Sequence, residues 1–186
     1  MVRGKETKNA ALLLTAICIT VYVLSALGGF PVEKVGICKD CSVLARLAYS
    51  FFHASLLHAL INCWCLLSIA FVYDLPINRL FIAYIIAVTF PVNTIGSVLG
   101  AFPVEVPTVG LSAVCFALLG MVSFQVKRKL YYHSFLLSFI ALGFLIPLLS
   151  ARYGFRIASP NNILHLYCYV AGLLVGFLNS PAHEEK

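Results

Sequence analysis

Six stretches free of Asp, Glu, Lys and Arg restrict this chain more than any motif does: residues 9–32, 47–73, 80–104, 106–126, 130–151 and 157–183. Each reaches the ~20 residues that a helix needs to cross a hydrocarbon layer of ~30 Å. Backbone N–H and C=O groups in lipid must be satisfied within the segment, so these stretches are predicted to be helices. The period-2 alternation of a membrane barrel is absent. Composition agrees: 61% of the 186 residues are hydrophobic, only 11% are charged, and mean hydropathy is +0.97. A soluble domain of ordinary composition carries about 25% charged residues. The expected fold is all-α, a polytopic bundle of six transmembrane helices spanning residues 10–180. Residues 1–9 and 181–186 are expected as tails.

Lys and Arg at alternate ends of the stretches set the orientation. Arg3, Lys5, Lys8, Arg79, Lys127, Arg128, Lys129 and Lys186 lie on one side, against Lys34, Lys39, Arg46, Arg152 and Arg156 on the other. Both termini are therefore expected in the cytoplasm. The sequence pI near 9.0 reflects this bias rather than nucleic-acid binding. The first stretch is too long for a signal peptide's apolar region.

The predicted helices are Ala10–Phe30, Phe51–Tyr73, Leu80–Leu99 with a kink at Pro91, Gly110–Val126, Tyr132–Leu149 and Asn161–Leu178. Asn93 and Thr94 are candidates to satisfy backbone groups freed at Pro91. Asp74 to Asn78 reads as an inner turn, Cys41–Ser50 as a lead into the second helix, and residues 100–109 as an outer loop. Five cysteines (Cys18, Cys63, Cys65, Cys115 and Cys168) fall in apolar runs and read as packing residues. Cys38 and Cys41 form a CxxC in the first outer loop, half of a four-ligand zinc set, so a local disulfide or free thiols fit better than metal.

Polar residues recur at one depth on three helices that run from outside to inside. Counting back from the inner ends at ~1.5 Å per residue puts His58 ~24 Å up, Ser112 ~22 Å up and His165 ~21 Å up, with Asn62 one turn below His58. His58 and Asn62 share a face as an i,i+4 pair, and so do Ser112 and Phe116. His53, five residues before His58, is expected about 140° around the same helix. Ser112 falls in a first helical turn, where unpaired N–H groups and the helix dipole favour an anion, and Gly110 permits close backbone approach just before it. A serine needs a base to act as nucleophile; His165 is the candidate, with His58 and Asn62 as donors to an oxyanion. Of the seven acids none lies in the apolar interior, and only Glu105 sits just before the serine, so a Ser–His dyad is favoured over a triad. Taken singly, each residue has an ordinary reading: the serine bonds its own helix, Asn62 joins helices, His165 is an interior hydrogen-bonding group or part of a proton path. Their shared depth favours a hydrolase over a transporter.

The run Arg46-Leu-Ala-Tyr-Ser-Phe-Phe-His53-Ala-Ser-Leu-Leu-His58-Ala-Leu-Ile-Asn62 resembles the arginine-led second helix of the rhomboid intramembrane serine proteases. Gly110-Leu111-Ser112-Ala113 resembles their Gly-x-Ser-Gly motif, and His165 with Gly172 and Gly176 resembles their histidine helix. The resemblance implies Ser112 as nucleophile, His165 as base, an oxyanion site from His58, Asn62 and the Ser112 N–H, support from His53, and Phe116 packed on the histidine. It also implies transmembrane-anchored protein substrates, no cofactor or metal, and entry gated by the fifth helix or an outer loop. Ala113 departs from the motif's second glycine, Cys168 stands where a glycine often follows the histidine, and the tryptophan that often precedes the arginine is missing. The compact form suits a bacterial cytoplasmic membrane. Two other readings stay open: a non-catalytic rhomboid-like binder of membrane proteins, and a proton or metal transporter using His53, His58, Cys63 and Cys65. Cys63 lies five residues after His58 and Cys65 seven, so all cannot share one helical face with it, which weakens a metal site.

Overall fold

A computed structural model describes residues 3–94, 107–152 and 161–179. Among these residues the frame consists of the helices α1 (Arg3–Gly28), α2 (Val43–Ala48), α3 (Leu56–Val72), α4 (Ile77–Val88), α5 (Ser112–Val122), α6 (Lys129–Arg152) and α7 (Asn162–Leu178). Short 3₁₀ turns cover Val32–Val35, Tyr49–Phe51 and Ser123–Gln125. The all-helical expectation holds among the described residues; the one extended pairing is an antiparallel bridge between Ile37 and Thr108.

Helix α5 is apolar on every side, the pattern of a helix enclosed by others. Every residue from Ala113 to Val122 except Leu119 is buried, and α3, α4 and α7 pack around it. Its most extensive contact is with α7. Small residues set that distance. A Cβ placed on Gly172 would meet the Ala117 carbonyl, one on Gly120 would meet the Tyr169 carbonyl, and one on Gly176 would lie 2.7 Å from the Met121 carbonyl oxygen. Glycine and alanine at helical spacing thus bring two backbones into van der Waals contact, the usual way for helices to associate in lipid.

Helix α1 packs on α3, and the Thr7 hydroxyl donates to the Leu75 carbonyl in the turn between α3 and α4. Helix α6 lies outermost. Its first turns are tied in by the Tyr132 hydroxyl donating to the Leu119 carbonyl at 2.7 Å and by a His133–Tyr169 hydrogen bond. Leu136 and Ile140 face inward, whereas Leu130, Phe135, Leu137, Phe139 and Leu142 face out. Leu13, Leu24, Trp64, Phe71 and Phe81 extend this apolar exterior over the other helices.

The second apolar segment departs from the expected continuous helix. Val43–Phe51 meets Leu56–Val72 at 82°. The cause is local: the Ser55 side chain accepts from the His58 N–H at 3.2 Å and caps α3 there, so His53 precedes the helix. Helix α4 ends earlier than expected because Pro91 has no N–H and disfavours helical geometry at Phe90; helix resumes over residues 92–94. The Ala87 carbonyl, which the missing Pro91 N–H leaves free, is taken by the Tyr49 hydroxyl at 3.0 Å; the Thr89 hydroxyl donates to Ile85 O at 2.7 Å and to Ile86 O at 3.3 Å, and Arg46 Nη1 donates to Phe90 O at 2.9 Å. Asn93, expected in that role, pairs with Asp40. Helix α5 is shorter than Gly110–Val126, α6 is longer than Tyr132–Leu149, and α1 begins before Ala10. The remainder of the Leu80–Leu99 expectation, residues 100–106 and residues 153–160 lie outside the described residues.

By length and composition, Gly4–Gly28 and Ile77–Thr94 are each sufficient to cross a membrane, and the bent pair makes a third candidate. Ser112–Gln125, Lys129–Leu145 and Asn162–Leu178 are apolar but shorter. Crowding the α5–α7 contact is expected to cost more than any surface change. Gly172→Leu should lower stability by at least about 1–3 kcal/mol, read as a fall in thermal midpoint in detergent, while Leu130→Ala on exposed α6 leaves the midpoint nearly unchanged.

Candidate active site

Ser112 is the first residue of α5. The segment before it is held by three fastenings. Thr108 exchanges two backbone hydrogen bonds with Ile37, at 2.8 and 3.0 Å. The Gly110 N–H donates to the Tyr49 carbonyl at 2.9 Å, and the Leu111 N–H to His53 Nε2 at 3.4 Å. Tyr49, wholly buried, is fixed in turn by its hydroxyl donating to Ala87 O at 3.0 Å. Gly110 has φ +120°, a conformation that only glycine adopts without strain. A Cβ there would also lie 2.8 Å from His58 Nε2 and 3.1 Å from Asn62 Nδ2. Glycine is thus required twice, by backbone angle and by the side chains against which it lies.

The N-terminus of α5 lacks the side-chain cap that α3 and α7 have. Ser55 and Asn161 each accept a backbone N–H at the start of α3 and α7; Leu111 occupies that position on α5 and offers no such acceptor. The first intrahelical bond runs from the Cys115 N–H to the Leu111 carbonyl at 3.1 Å. The N–H groups of Ser112, Ala113 and Val114 therefore have no partner within the helix, which leaves positive partial charge facing the serine's end.

His165 comes from the first turn of α7. Asn161 caps that helix by accepting from the Leu164 N–H at 3.0 Å, and its Nδ2 donates to Thr108 Oγ1 at 3.1 Å. The residue that starts α7 thereby ties it to the segment leading to Ser112. The His165 ring stacks on Phe116, with centroids 4.4 Å apart and planes at 16°. In that position His165 Nε2 lies 2.8 Å from Ser112 Oγ. The ring is buried, Ser112 is half-buried, and His165 Nδ1 has no hydrogen-bond partner among the described residues.

The other expected residues converge on the same place. Asn62 is buried on α3 with its Nδ2 unpartnered among the described residues, and its backbone carbonyl receives the Cys115 thiol at 3.6 Å. His58 packs edge-on against His53, ring centroids 5.1 Å apart. The 140° separation expected for His53 does not apply, because His53 lies before α3; its ring turns to the Leu111 N–H and supports the serine segment. Ala113 and Cys168, the departures from the glycine pattern, are both wholly buried, and Ser112 and His165 still meet. Glu105 lies outside the described residues. Among the described residues, no three His, Cys, Asp or Glu side chains are arranged to hold a metal, so His53, His58, Cys63 and Cys65 do not form one donor set. Sequence reasoning missed Tyr49, Thr108 and the second bond of Asn161, since all act through backbone or a distant loop; only Asn161 carried a local signal, as a helix-starting residue.

The family model of the Rhomboid domain matches residues 41–182. The chain belongs to the rhomboid family. It is accordingly an integral membrane protein whose fold is the helical rhomboid domain, and the match includes the arginine-led segment, the serine segment and the histidine helix. No curated protein matches the chain. Rhomboids are mostly intramembrane serine proteases, and the family also contains relatives without that activity.

The two bonds of Asn161 are separable. Asn161→Ala should lower stability by about 1–2 kcal/mol through loss of the cap. Asn161→Asp retains the capping acceptor but loses the donor to Thr108, and should fall between wild type and Asn161→Ala in thermal unfolding.

Proposed function

We propose that this rhomboid is an active intramembrane serine endopeptidase that cuts transmembrane-anchored proteins within or near the bilayer. The observation that carries the reading is the 2.8 Å contact between Ser112 Oγ and His165 Nε2 at the uncapped start of α5. In the neutral histidine Nδ1 carries the proton and Nε2 is free to accept that of the serine hydroxyl. Serine attack on a peptide carbonyl then yields a tetrahedral oxyanion and an imidazolium. The Ser112 N–H, Asn62 Nδ2 and His58 are the donors proposed for that oxyanion. His165 returns its proton to the departing amine, and water repeats the sequence on the acyl-enzyme. Phe116 keeps the imidazole plane fixed, which limits the geometries from which Nε2 reaches Oγ.

The domain is proposed to extend over residues 10–180 with six spans and both termini in the cytoplasm, on the strength of the uncharged stretches and the Lys/Arg bias. The site then lies toward the outer face, several ångströms below the surface.

Cleavage of a single-span membrane protein in proteoliposomes tests the reading. Ser112→Ala and His165→Ala should each abolish product while the protein keeps its thermal midpoint; cleavage by either folded variant contradicts the assignment. Asn62→Ala should lower kcat by about 10²–10³ with KM little changed, the signature of a donor used chiefly in the transition state. A fall in affinity with kcat unchanged would instead make Asn62 a substrate-binding residue.

A further inference from the structure

The CxxC of the loop between α1 and α2 plays no part in the proposed chemistry, yet the structure places it one residue from the segment that feeds Ser112. Cys38 and Cys41 are the ends of a tight turn, closed by the Cys41 N–H to the Cys38 carbonyl at 3.4 Å. Such a four-residue turn brings its end Cα atoms within about 7 Å, the range a disulfide requires. The thiols are unbridged, lie within reach of each other and are both half-buried, so small reagents have access. The turn is held in shape from outside. Asp40 adopts φ +57°, and Asn93 grips it twice, accepting from its N–H and donating to its carboxylate, each at 3.1 Å. Asp tolerates this backbone region better than most residues.

Ile37 precedes the turn directly, and both of its backbone polar groups are bonded to Thr108. Gly36 lies so close to Pro107 that a Cβ would overlap it. Thr108 leads within four residues to Ser112 and holds the cap of α7 through Asn161. A change in the stiffness of the Cys38–Cys41 turn is thus delivered to the start of both helices that meet at the site.

We propose that Cys38 and Cys41 form a reversible dithiol–disulfide site, oxidised by low-molecular-weight disulfides of the glutathione type, which stiffens the Ile37–Thr108 pairing. One thiolate attacks the reagent disulfide, forming a mixed disulfide and releasing one glutathione thiolate. The second thiolate attacks the protein sulfur of that bond and expels the other glutathione. The two protein thiols lose two protons and two electrons, and one reagent disulfide becomes two thiols. Burial, with the neighbouring Cys41 and Asp40, pushes the Cys38 thiol up. The reduced form therefore lacks the thiolate stabilisation that makes a disulfide strongly oxidising. The site stands whether or not the chain is a protease.

Lys39 lies between the cysteines, which makes the test direct. Full-length protein is equilibrated with mixtures of reduced and oxidised glutathione, free thiols are blocked, and trypsin is added without reductant. The expected result is that the peptides on either side of Lys39 stay joined through Cys38 and Cys41 in oxidising mixtures and separate, both alkylated, in reducing ones. Hydrogen exchange at the Ile37 and Thr108 amides should slow several-fold in the oxidised form, and a Cys38→Ser/Cys41→Ser variant should not respond. Peptides that never join, or that join Cys38 or Cys41 to another cysteine, overturn the site. Exchange at Ile37 and Thr108 indifferent to oxidation overturns its coupling to the serine segment.

Discussion

Where a side chain on Gly172 would begin, this protein has the carbonyl oxygen of Ala117. That backbone contact between α5 and α7 governs the rest. In lipid no hydrophobic force drives two apolar helices together, so dispersion between close backbones and a few polar contacts must suffice. Gly120, Gly172 and Gly176 remove the side chains that would prevent approach, and Ala113 and Ala117 add little bulk. At this spacing a histidine in the first turn of α7 reaches a serine in the first turn of α5. A helix pair spread by larger residues would carry the same two residues out of contact.

The closeness of α5 and α7 fixes their distance, and the loops that lead into them fix their register. Thr108 bonds to Ile37 on one side and to Asn161 on the other, so the segment entering α5 and the cap of α7 share one anchor. Tyr49 and His53 take the Gly110 and Leu111 N–H groups, which leaves the next three N–H groups of α5 without intrahelical partners. The backbone groups upstream of the serine are tied down, and those at the serine are left open. This is the division that stabilisation of a developing oxyanion requires.

Much of this was legible in the sequence because a membrane simplifies the code. Uncharged length marks a helix, and polar residues within it face the interior. The matched depth of His58, Ser112 and His165, with Asn62 one turn below on the face of His58, therefore picked out residues that the fold does bring together, and the Ser112–Phe116 spacing anticipated the ring stacked on His165. What escaped had no periodic signal. Ser55 starts the helix only after His53 by one side-chain bond, and an angular argument that assumed a continuous helix misplaced that histidine. Pro91 was visible as a break, but which group would take the freed Ala87 carbonyl was not, since Tyr49 comes from a distant segment. The Ile37–Thr108 bridge joins residues with nothing in their local sequence to pair them.

Activation of Ser112 by His165 is the central claim, and it is open to measurement without knowing a substrate. Folded protein in bilayers is treated with a fluorophosphonate, and the modified residue is located by mass spectrometry of its peptides. The account predicts adduct on Ser112 alone among the serines, formed by wild type and lost in His165→Ala. Adduct formed equally well without His165, or no adduct in protein shown to be folded, would contradict it.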